Sequence, residues 1–257
     1  MADAWWSLAE RDGRAWSSGT FSKNTSSRRC VLHDTENSVG SSPKGVADYM
    51  WSNVGASTGY HIILPLEAGH RPLQLRPLTG SAGGLRNNGS LRVSPNKQGT
   101  VIVQVALVCW AKDSKATVPG ALGPWWGDLL TYLDSWDVPR VVFGGLPAGG
   151  GVANKMSLDT WYSPQSGWSF HATTPNPDSV HWDPGRVDPA VLFAGQGGTG
   201  DWARIDGTDD DMTDAQFAAL LAEQTATRQL VETLVLEAVA SRNLLEEIAR
   251  SEDEPGR

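Results

Sequence analysis

The chain has 257 residues, of which 40% are hydrophobic, enough for one sizeable soluble domain with an appendage. The formal net charge of −8 arises late in the chain: residues 207–257 hold 12 acidic and 4 basic side chains, whereas residues 1–206 hold 17 of each sign. The sequence has no basic stripe of the kind that nucleic-acid binding needs, so we expect no nucleic-acid partner.

Membrane features are also missing from the sequence. No stretch approaches the roughly 20 apolar residues of a membrane span. The opening, MADAWWSLAERDGRAW, has charges of both signs and no basic segment followed by an apolar one, which argues against a secretory signal. We therefore expect synthesis in the cytoplasm of the producing cell, without a signal peptide and without a membrane span.

The two cysteines, Cys30 and Cys109, are too few for a disulfide framework in a chain of this length. Each lies in an apolar run that is typical of a strand. Free Cys behaves as a small buried hydrophobe, so we expect two free buried thiols.

Strands alternate with helices along the first part of the chain, which predicts an α/β fold. Ser42 and Pro43 are typical of a helix start, and this helix is expected to run to Asn53. The run TVIVQVALVCWA is apolar on both faces, which favours a central strand. In chain order, the predicted segments are a strand at 29–33, the helix, a strand at 59–66, a long loop at 69–98, the central strand at 100–111, a helix at 124–137, a strand at 138–144 and a loop at 146–156.

The end of the chain has a different pattern. Residues 196–212 are rich in Gly and Asp and are predicted to be a linker after a domain at 1–195. Residues 213–251 lack Pro and Gly and predict a coiled-coil-like helix, followed by a short tail at 252–257. Its heptad seam, with polar interruptions, comprises Leu220, Gln224, Thr227, Val231, Leu234, Ala238, Ser241, Leu245 and Ile248. We expect residues 213–250 to self-associate or to pair with a partner helix, the alternative being a helix that folds back on the domain.

Candidate metal ligands come from the five histidines. His33 ends a predicted strand, and His171 precedes Asp183 by twelve residues. Two histidines and a carboxylate would leave a fourth tetrahedral position open for water, as catalytic zinc requires. A lone histidine at a strand end is more often structural, and His181 is close enough in sequence to be an alternative ligand. His61 is expected to be packed and hydrogen-bonded, and His70 to lie on the surface.

The order of four short motifs resembles the type 2 N-acetylmuramoyl-L-alanine amidase family, which shares its fold with the peptidoglycan recognition proteins. The motifs are a strand ending in His33 with Thr35 two residues later, Tyr60-His61 in a second strand, then His171, and finally Asp183-Pro184-Gly185. The opening AWWSLAERDGRAW is also similar to amidase domains in lysins of actinobacterial phages. The resemblance covers roughly residues 5–195.

The resemblance implies a mixed central β-sheet flanked by helices, with a zinc site in a surface cleft. It implies that His33, His171 and Asp183 bind Zn²⁺, and that the substrate is peptidoglycan. The implied catalytic residues are Tyr60, beside the metal, and His181, at a position where the family usually has Lys. Thr35 and Trp182 are expected to bind substrate.

The sequence departs from the family on the central strand, where many members have a Glu that can act as a general base. Ala106, or at best Gln104, aligns with that Glu, and neither is a carboxylate. Two further functions stay open from the sequence: a zinc-free module that only binds peptidoglycan, and a phage virion or injection-particle component that carries an amidase domain.

Overall fold

The computed structural model describes residues 2–17, 19–85, 94–114, 116, 121–147, 155–175 and 183–193. All of them lie in the first of the two units into which the chain divides, residues 1–206. The linker, helix and tail expected at 196–257 lie outside the described residues, so those domain boundaries stay a prediction. None of the helices in the described part of the chain combines the length and the apolar character that a membrane crossing needs.

A six-stranded mixed sheet forms the centre of the described domain, in the spatial order β1-β4-β3-β5-β2-β6. Its neighbouring strands are parallel except for the antiparallel pair β3 and β4. The strands are β1 Glu10–Arg11, β2 Arg28–Asp34, β3 Ile62–Leu64, β4 Leu73–Gln74, β5 Val101–Leu107 and β6 Gly167–Phe170. The helices are α1 Pro43–Asn53, α2 Trp126–Asp134, α3 Leu158–Trp161 and α4 Pro189–Leu192, with 3₁₀ turns at Pro95–Lys97, Ala111–Asp113 and His171–Thr173. The expected α/β class with a mixed sheet is confirmed.

Strand β5 is central, as its sequence predicts, because it pairs with β3 on one side and with β2 on the other. Every residue of β5 is buried. Successive side chains of a strand point to opposite faces, so alternate residues enter different cores. Val103 and Val105 belong to the core that contains α2, whereas Ile102 belongs to a core on the other face.

Helix α1 begins where local chemistry favours a helix. In α1, the Ser42 hydroxyl accepts a hydrogen bond from the Gly45 N–H at 3.0 Å, and Pro43 occupies the first turn. The buried side of α1, Val46, Ala47 and Met50, packs with Ile63 and Leu73. Each fully buried Val or Met side chain contributes roughly 1.5–3 kcal/mol to folding. Helix α2 is buried in the other core, so the sheet is flanked on both faces.

Three short strands escape the sequence analysis, and one predicted strand does not form. Residues 138–144 make only an isolated bridge between Val142 and Trp168. After Phe143 come two glycines in the left-handed region, Gly144 and Gly145, a backbone conformation that does not continue a strand. Strand β4 lies inside the predicted loop at 69–98, and β1, β4 and β6 have two to four residues each, too few to show a period.

Both cysteines are free and fully buried, as expected. Burial raises the pKa of the Cys30 thiol well above its usual value. Burial and the neighbouring Asp34 carboxyl raise the pKa of Cys109 in the same direction. Neither thiol is therefore ionised at neutral pH, which argues against a nucleophilic role for them.

Candidate metal centre

His33, His171 and Asp183 come together at one edge of the sheet. His33 lies at the end of β2, and His171 directly follows β6. Strands β2 and β6 are parallel and pair Leu32 with Phe170, so the next residue of each strand emerges at the same edge. The Ala172 N–H donates to the Asp183 carbonyl at 2.9 Å, which holds the aspartate beside the turn.

The three side chains are close enough to share one ion. His171 Nδ1 lies 2.9 Å from Asp183 Oδ1, and His33 Nδ1 lies 3.5 Å from Asp183 Oδ2. The two imidazole rings are 4.6 Å apart between centroids. One ligand atom from each residue lies within 4.8 Å of the others, and all three residues are buried. The structure therefore brings together the three ligands that the resemblance implies.

The donor atoms fit a zinc ion. Nδ1 of His33 is buried and has no hydrogen-bond partner among the described residues, although its ring is fully enclosed. A buried polar atom without a partner is costly, and an ion between Nδ1 and Asp183 would satisfy it. Atoms that bind one ion tetrahedrally at about 2.0–2.2 Å lie about 3.4 Å apart, close to the 3.5 Å between His33 Nδ1 and Asp183 Oδ2. Two imidazole nitrogens and one carboxylate form the three-ligand set of catalytic zinc.

The Asp183 carboxyl is held in its ionised form. Burial by itself raises the pKa of Asp183, but the charge of His171 and the contacts of both histidines outweigh it, and the pKa lies well below its usual value. The Asp34 N–H also points to Asp183 Oδ2, at 3.3 Å. A carboxylate must be deprotonated to bind a metal, so Asp183 is ready as a ligand at neutral pH.

Tyr60 lies beside the metal ligands. Its ring centroid is 5.0 Å from that of His33, and its hydroxyl donates to the Asp34 carbonyl at 3.4 Å. Burial, together with the nearby Asp183 and Asp34 carboxyls, raises the pKa of Tyr60 well above its usual value. The hydroxyl therefore stays protonated, and it acts as a hydrogen-bond donor rather than as a phenolate.

A cavity of about 210 Å³ opens next to Tyr60. Thr35 is one of its lining residues, and the Thr35 hydroxyl is a buried oxygen with no hydrogen-bond partner among the described residues. Helix α1 forms an apolar wall of the cavity. The lining residues are Thr35, Asn37, Val46, Tyr49, Met50, Val54, Thr58, Gly59, Tyr60, Gly83 and Gly84.

The central strand has no carboxylate near the candidate ligands. Ala106 pairs with His33 across the sheet, and Gln104 Oε1 lies 2.5 Å from His33 Nε2. Gln104 thus contacts the ring nitrogen opposite the one that faces Asp183. Of the two residues that align with the family's Glu, Ala106 carries a methyl group and Gln104 a neutral amide, as the sequence predicts.

Asp34 is a site neighbour that the sequence analysis missed. Burial, and then the charge of Asp183, raises the pKa of Asp34 well above its usual value. Its Oδ1 accepts from the Cys109 thiol at 3.4 Å. The alternation along β2 turns the Asp34 side chain to the face opposite His33, so the sequence pattern gave no signal for this neighbour. Asp34 borders the site through its backbone N–H, which lies 3.3 Å from Asp183 Oδ2.

The remaining predicted residues divide into two groups. His181 and Trp182 lie outside the described residues, so their roles stay predictions. His61 is packed and hydrogen-bonded as expected: its Nε2 faces the Gly80 carbonyl at 2.7 Å, and its Nδ1 accepts from the Gln104 N–H at 2.9 Å. His70 is half-buried rather than fully on the surface.

Three solved structures are similar to this chain. A Staphylococcus aureus hydrolase, AmiA, solved in complex with its ligand, is 15% identical with a TM-score of 0.38 over 66% of this chain and 72% of its own. The endolysin N-acetylmuramoyl-L-alanine amidase LysCS from Clostridium intestinale is 12% identical with a TM-score of 0.38, and the match covers 72% of this chain and 91% of LysCS. The Ph2119 endolysin of a Thermus scotoductus bacteriophage is 18% identical with a TM-score of 0.35, and the match covers 66% of this chain and 87% of the endolysin.

Two of these neighbours are endolysins, and one of the two is described as an N-acetylmuramoyl-L-alanine amidase, the kind of protein that the sequence motifs resemble. Because their TM-scores lie below 0.5, the functional argument rests on the residues of the site. No protein-family model matches the chain, and no curated protein matches it.

Proposed function

We propose that this protein is a zinc-dependent N-acetylmuramoyl-L-alanine amidase that hydrolyses bacterial peptidoglycan in the manner of a phage endolysin. The observation that carries the proposal is the buried cluster of His33, His171 and Asp183, in which Nδ1 of His33 has no hydrogen-bond partner among the described residues. The ordered motifs of the sequence point to the same reaction. A zinc-free binding module has no need of a complete ligand set, so the intact set favours the enzyme.

His33 and His171 would hold the ion through Nδ1, and Asp183 through a carboxylate oxygen. A bound Zn²⁺ supplies Lewis-acid chemistry, since it lowers the pKa of water and polarises a carbonyl group. The chain's own residues define where the substrate lies. Tyr60 presents a protonated hydroxyl at the border between the ligands and the cavity, where it can orient water or the scissile amide.

The reaction adds water across one amide bond. The water oxygen bonds to the carbonyl carbon of the lactyl group on muramic acid, the C–N bond breaks, and a proton passes to the amine of L-alanine. Thr35 and Trp182 are proposed to bind the substrate. His181 is proposed to donate to the oxyanion, and one preorganised donor of this kind stabilises the transition state by roughly 3 kcal/mol.

Replacement of one ligand tests the metal assignment. We expect His171→Ala to lose both the metal and the hydrolysis of purified cell walls, because two ligands cannot retain the ion of a three-ligand site. Metal analysis of the unaltered chain should find about one zinc per chain. His70→Ala is the matched control, because His70 lines a different cavity, together with Arg71. This variant should retain both the zinc and the hydrolysis of cell walls. Full wall hydrolysis by His171→Ala would contradict the proposal.

A further inference from the structure

Gln104 and Asn96 form a buried hydrogen-bonded chain behind the candidate metal ligand His33. Gln104 Oε1 lies 2.5 Å from His33 Nε2, and Gln104 Nε2 lies 3.3 Å from Asn96 Oδ1. Asn96 in turn contacts both backbone groups of Leu85, with its Oδ1 at 2.8 Å from the N–H and its Nδ2 at 2.5 Å from the carbonyl. Gln104 and His33 are fully enclosed, and Asn96 is 8% exposed.

The backbone of Leu85 fixes the direction of every hydrogen bond in the series from Asn96 through Gln104 to His33. A backbone N–H can only donate, so the Asn96 oxygen must face Leu85 N, and the Asn96 amide nitrogen must face the Leu85 carbonyl. The Asn96 oxygen then requires a donor from Gln104, which turns the Gln104 amide nitrogen toward Asn96. The Gln104 oxygen is left facing His33, and among the described residues His33 Nε2 is the atom within hydrogen-bond distance that can donate to it.

We propose that Gln104 is a positioning residue that selects the metal-binding tautomer of His33. With its proton held on Nε2 by Gln104, neutral His33 must present the lone pair of Nδ1 toward Asp183. A hydrogen bond to the second ring nitrogen is the usual way in which proteins fix the tautomer and orientation of a metal-binding histidine. The inference rests on the proposed function only in taking His33 as a zinc ligand.

This assignment gives the central strand a role that does not need a carboxylate. Gln104 lies on the far side of the His33 ring from Asp183, so it does not reach the reacting atoms. Gly84 packs against the same amide: a Cβ at Gly84 would lie 3.0 Å from Gln104 Oε1 and 3.2 Å from Tyr60 Cδ1. The amide therefore has little room to turn away from His33.

The test uses the full chain and three variants. Gln104→Met removes the acceptor at nearly constant length, Gln104→Glu retains an acceptor oxygen, and Gln98→Met is the matched control. Gln98 is another buried glutamine, and its side-chain oxygen accepts from Asn24 instead. Zinc affinity is measured by competition with a chromophoric chelator, and the tautomer of His33 by ¹H–¹⁵N correlation of the imidazole in the metal-free chain.

We expect Gln104→Met to weaken zinc binding by about 10–100-fold and to lose the preference of His33 for a proton on Nε2. Gln104→Glu should recover part of the lost affinity, because it keeps the acceptor that faces His33 but loses the donor to Asn96 Oδ1. Gln98→Met should bind zinc as the unaltered chain does. Equal affinity and an unchanged tautomer in Gln104→Met would overturn the inference, and so would equal losses in Gln104→Met and Gln98→Met.

Asn96→Ala provides a second variant if Gln104→Met fails to fold. It leaves Gln104 in place but removes the oxygen that orients its amide, so the amide can exchange its oxygen and nitrogen positions where it stands. Zinc affinity should then fall, and His33 should populate both tautomers. No change in either measurement would overturn the inference. The inference and the proposed function can fail separately. If the unaltered protein does not cut cell walls but Gln104→Met binds zinc more weakly than it does, the inference is supported. If the unaltered protein cuts cell walls and Gln104→Met binds zinc equally well, the inference is overturned.

Discussion

At the scale of single residues, His33 and His61 show how hydrogen bonds distinguish two buried histidines. His61 uses both ring nitrogens, one toward the Gly80 carbonyl and one toward the Gln104 N–H. His33 uses only Nε2 and leaves Nδ1 facing Asp183. Tyr60 and His61 directly precede β3, and they face different surroundings: the Tyr60 ring lies beside His33, whereas the His61 ring faces the Gly80 carbonyl.

The neutral state of His61 predicts a pH dependence of stability. Burial lowers the pKa of His61 to about 3, below its ordinary value of 6.5. The unfolded chain therefore binds a proton before the folded chain does, so the stability from His61 is complete above pH 6.5 and is lost as the pH falls toward 3. The loss is about 1.4 kcal/mol for each pH unit in this window.

The measurement is the free energy of unfolding by urea between pH 6.5 and pH 5. His61→Gln is the control, because glutamine can still donate to the Gly80 carbonyl but does not titrate. We expect the unaltered chain to lose more stability than His61→Gln over this range. Equal losses in the two proteins would show that His61 takes up its proton in the folded state.

At the scale of elements, what the sequence predicts depends on the length of each segment. The seven residues of β2 and of β5, and helices α1 and α2, are long enough to show a hydrophobic pattern or a helix cap, and all four were predicted. Strands β1, β4 and β6 exist because partners are available in the folded sheet. Residues 138–144 have a strand-like composition, yet they make only one bridge at the sheet edge.

The candidate site was predictable to a similar extent. His33 and His171 stand at the ends of the parallel strands β2 and β6, which bring them to one edge of the sheet, whereas Asp183 follows no strand. The link from Asn96 through Gln104 to His33 depends on where Leu85 packs, in the core that contains Val31 and Ile102, and no local sequence pattern reports that. Strand alternation turns the Asp34 side chain away from His33, so it does not predict that Asp34 borders the site.

A close approach of two loops beside the cavity predicts the effect of Gly83→Ala. Gly83 pairs with Gly59, and a Cβ at Gly83 would lie 2.1 Å from the backbone oxygen of Ser57. One of the two backbone segments would have to move, so we expect a loss of about 1–3 kcal/mol in the free energy of unfolding. Gly69→Ala is the control, because a Cβ there meets nothing within 4 Å. Equal stability of the two variants, measured by chemical denaturation, would contradict the packing described here.

At the scale of the whole molecule, the chain separates a charge-balanced part from an acidic one. Residues 207–257 carry the whole net charge of −8, while the candidate site lies within residues 33–183. We propose that residues 213–250 form a helix that self-associates or pairs with a partner and is not needed for hydrolysis. A single amphipathic helix is marginal in water, so it needs a partner surface to bury its seam.

Light scattering on the full chain and on a chain ending at Asp206 tests this division. We expect the full chain to be oligomeric, or to require its partner helix, and the shorter chain to be monomeric and active on cell walls. A monomeric full chain with no partner would contradict the association. Loss of hydrolysis in the shorter chain would show that the acidic part belongs to the catalytic domain.

Mass analysis of the products released from purified cell walls tests the central claim most directly. The account predicts stem peptides with a free N-terminal L-alanine and glycan strands whose muramic acid retains its lactyl group. It also predicts that a chelator stops their release and that added Zn²⁺ restores it. Cleavage between two sugars or between two amino acids of the stem, or release that continues at full rate in the chelator, would contradict a zinc-dependent amidase.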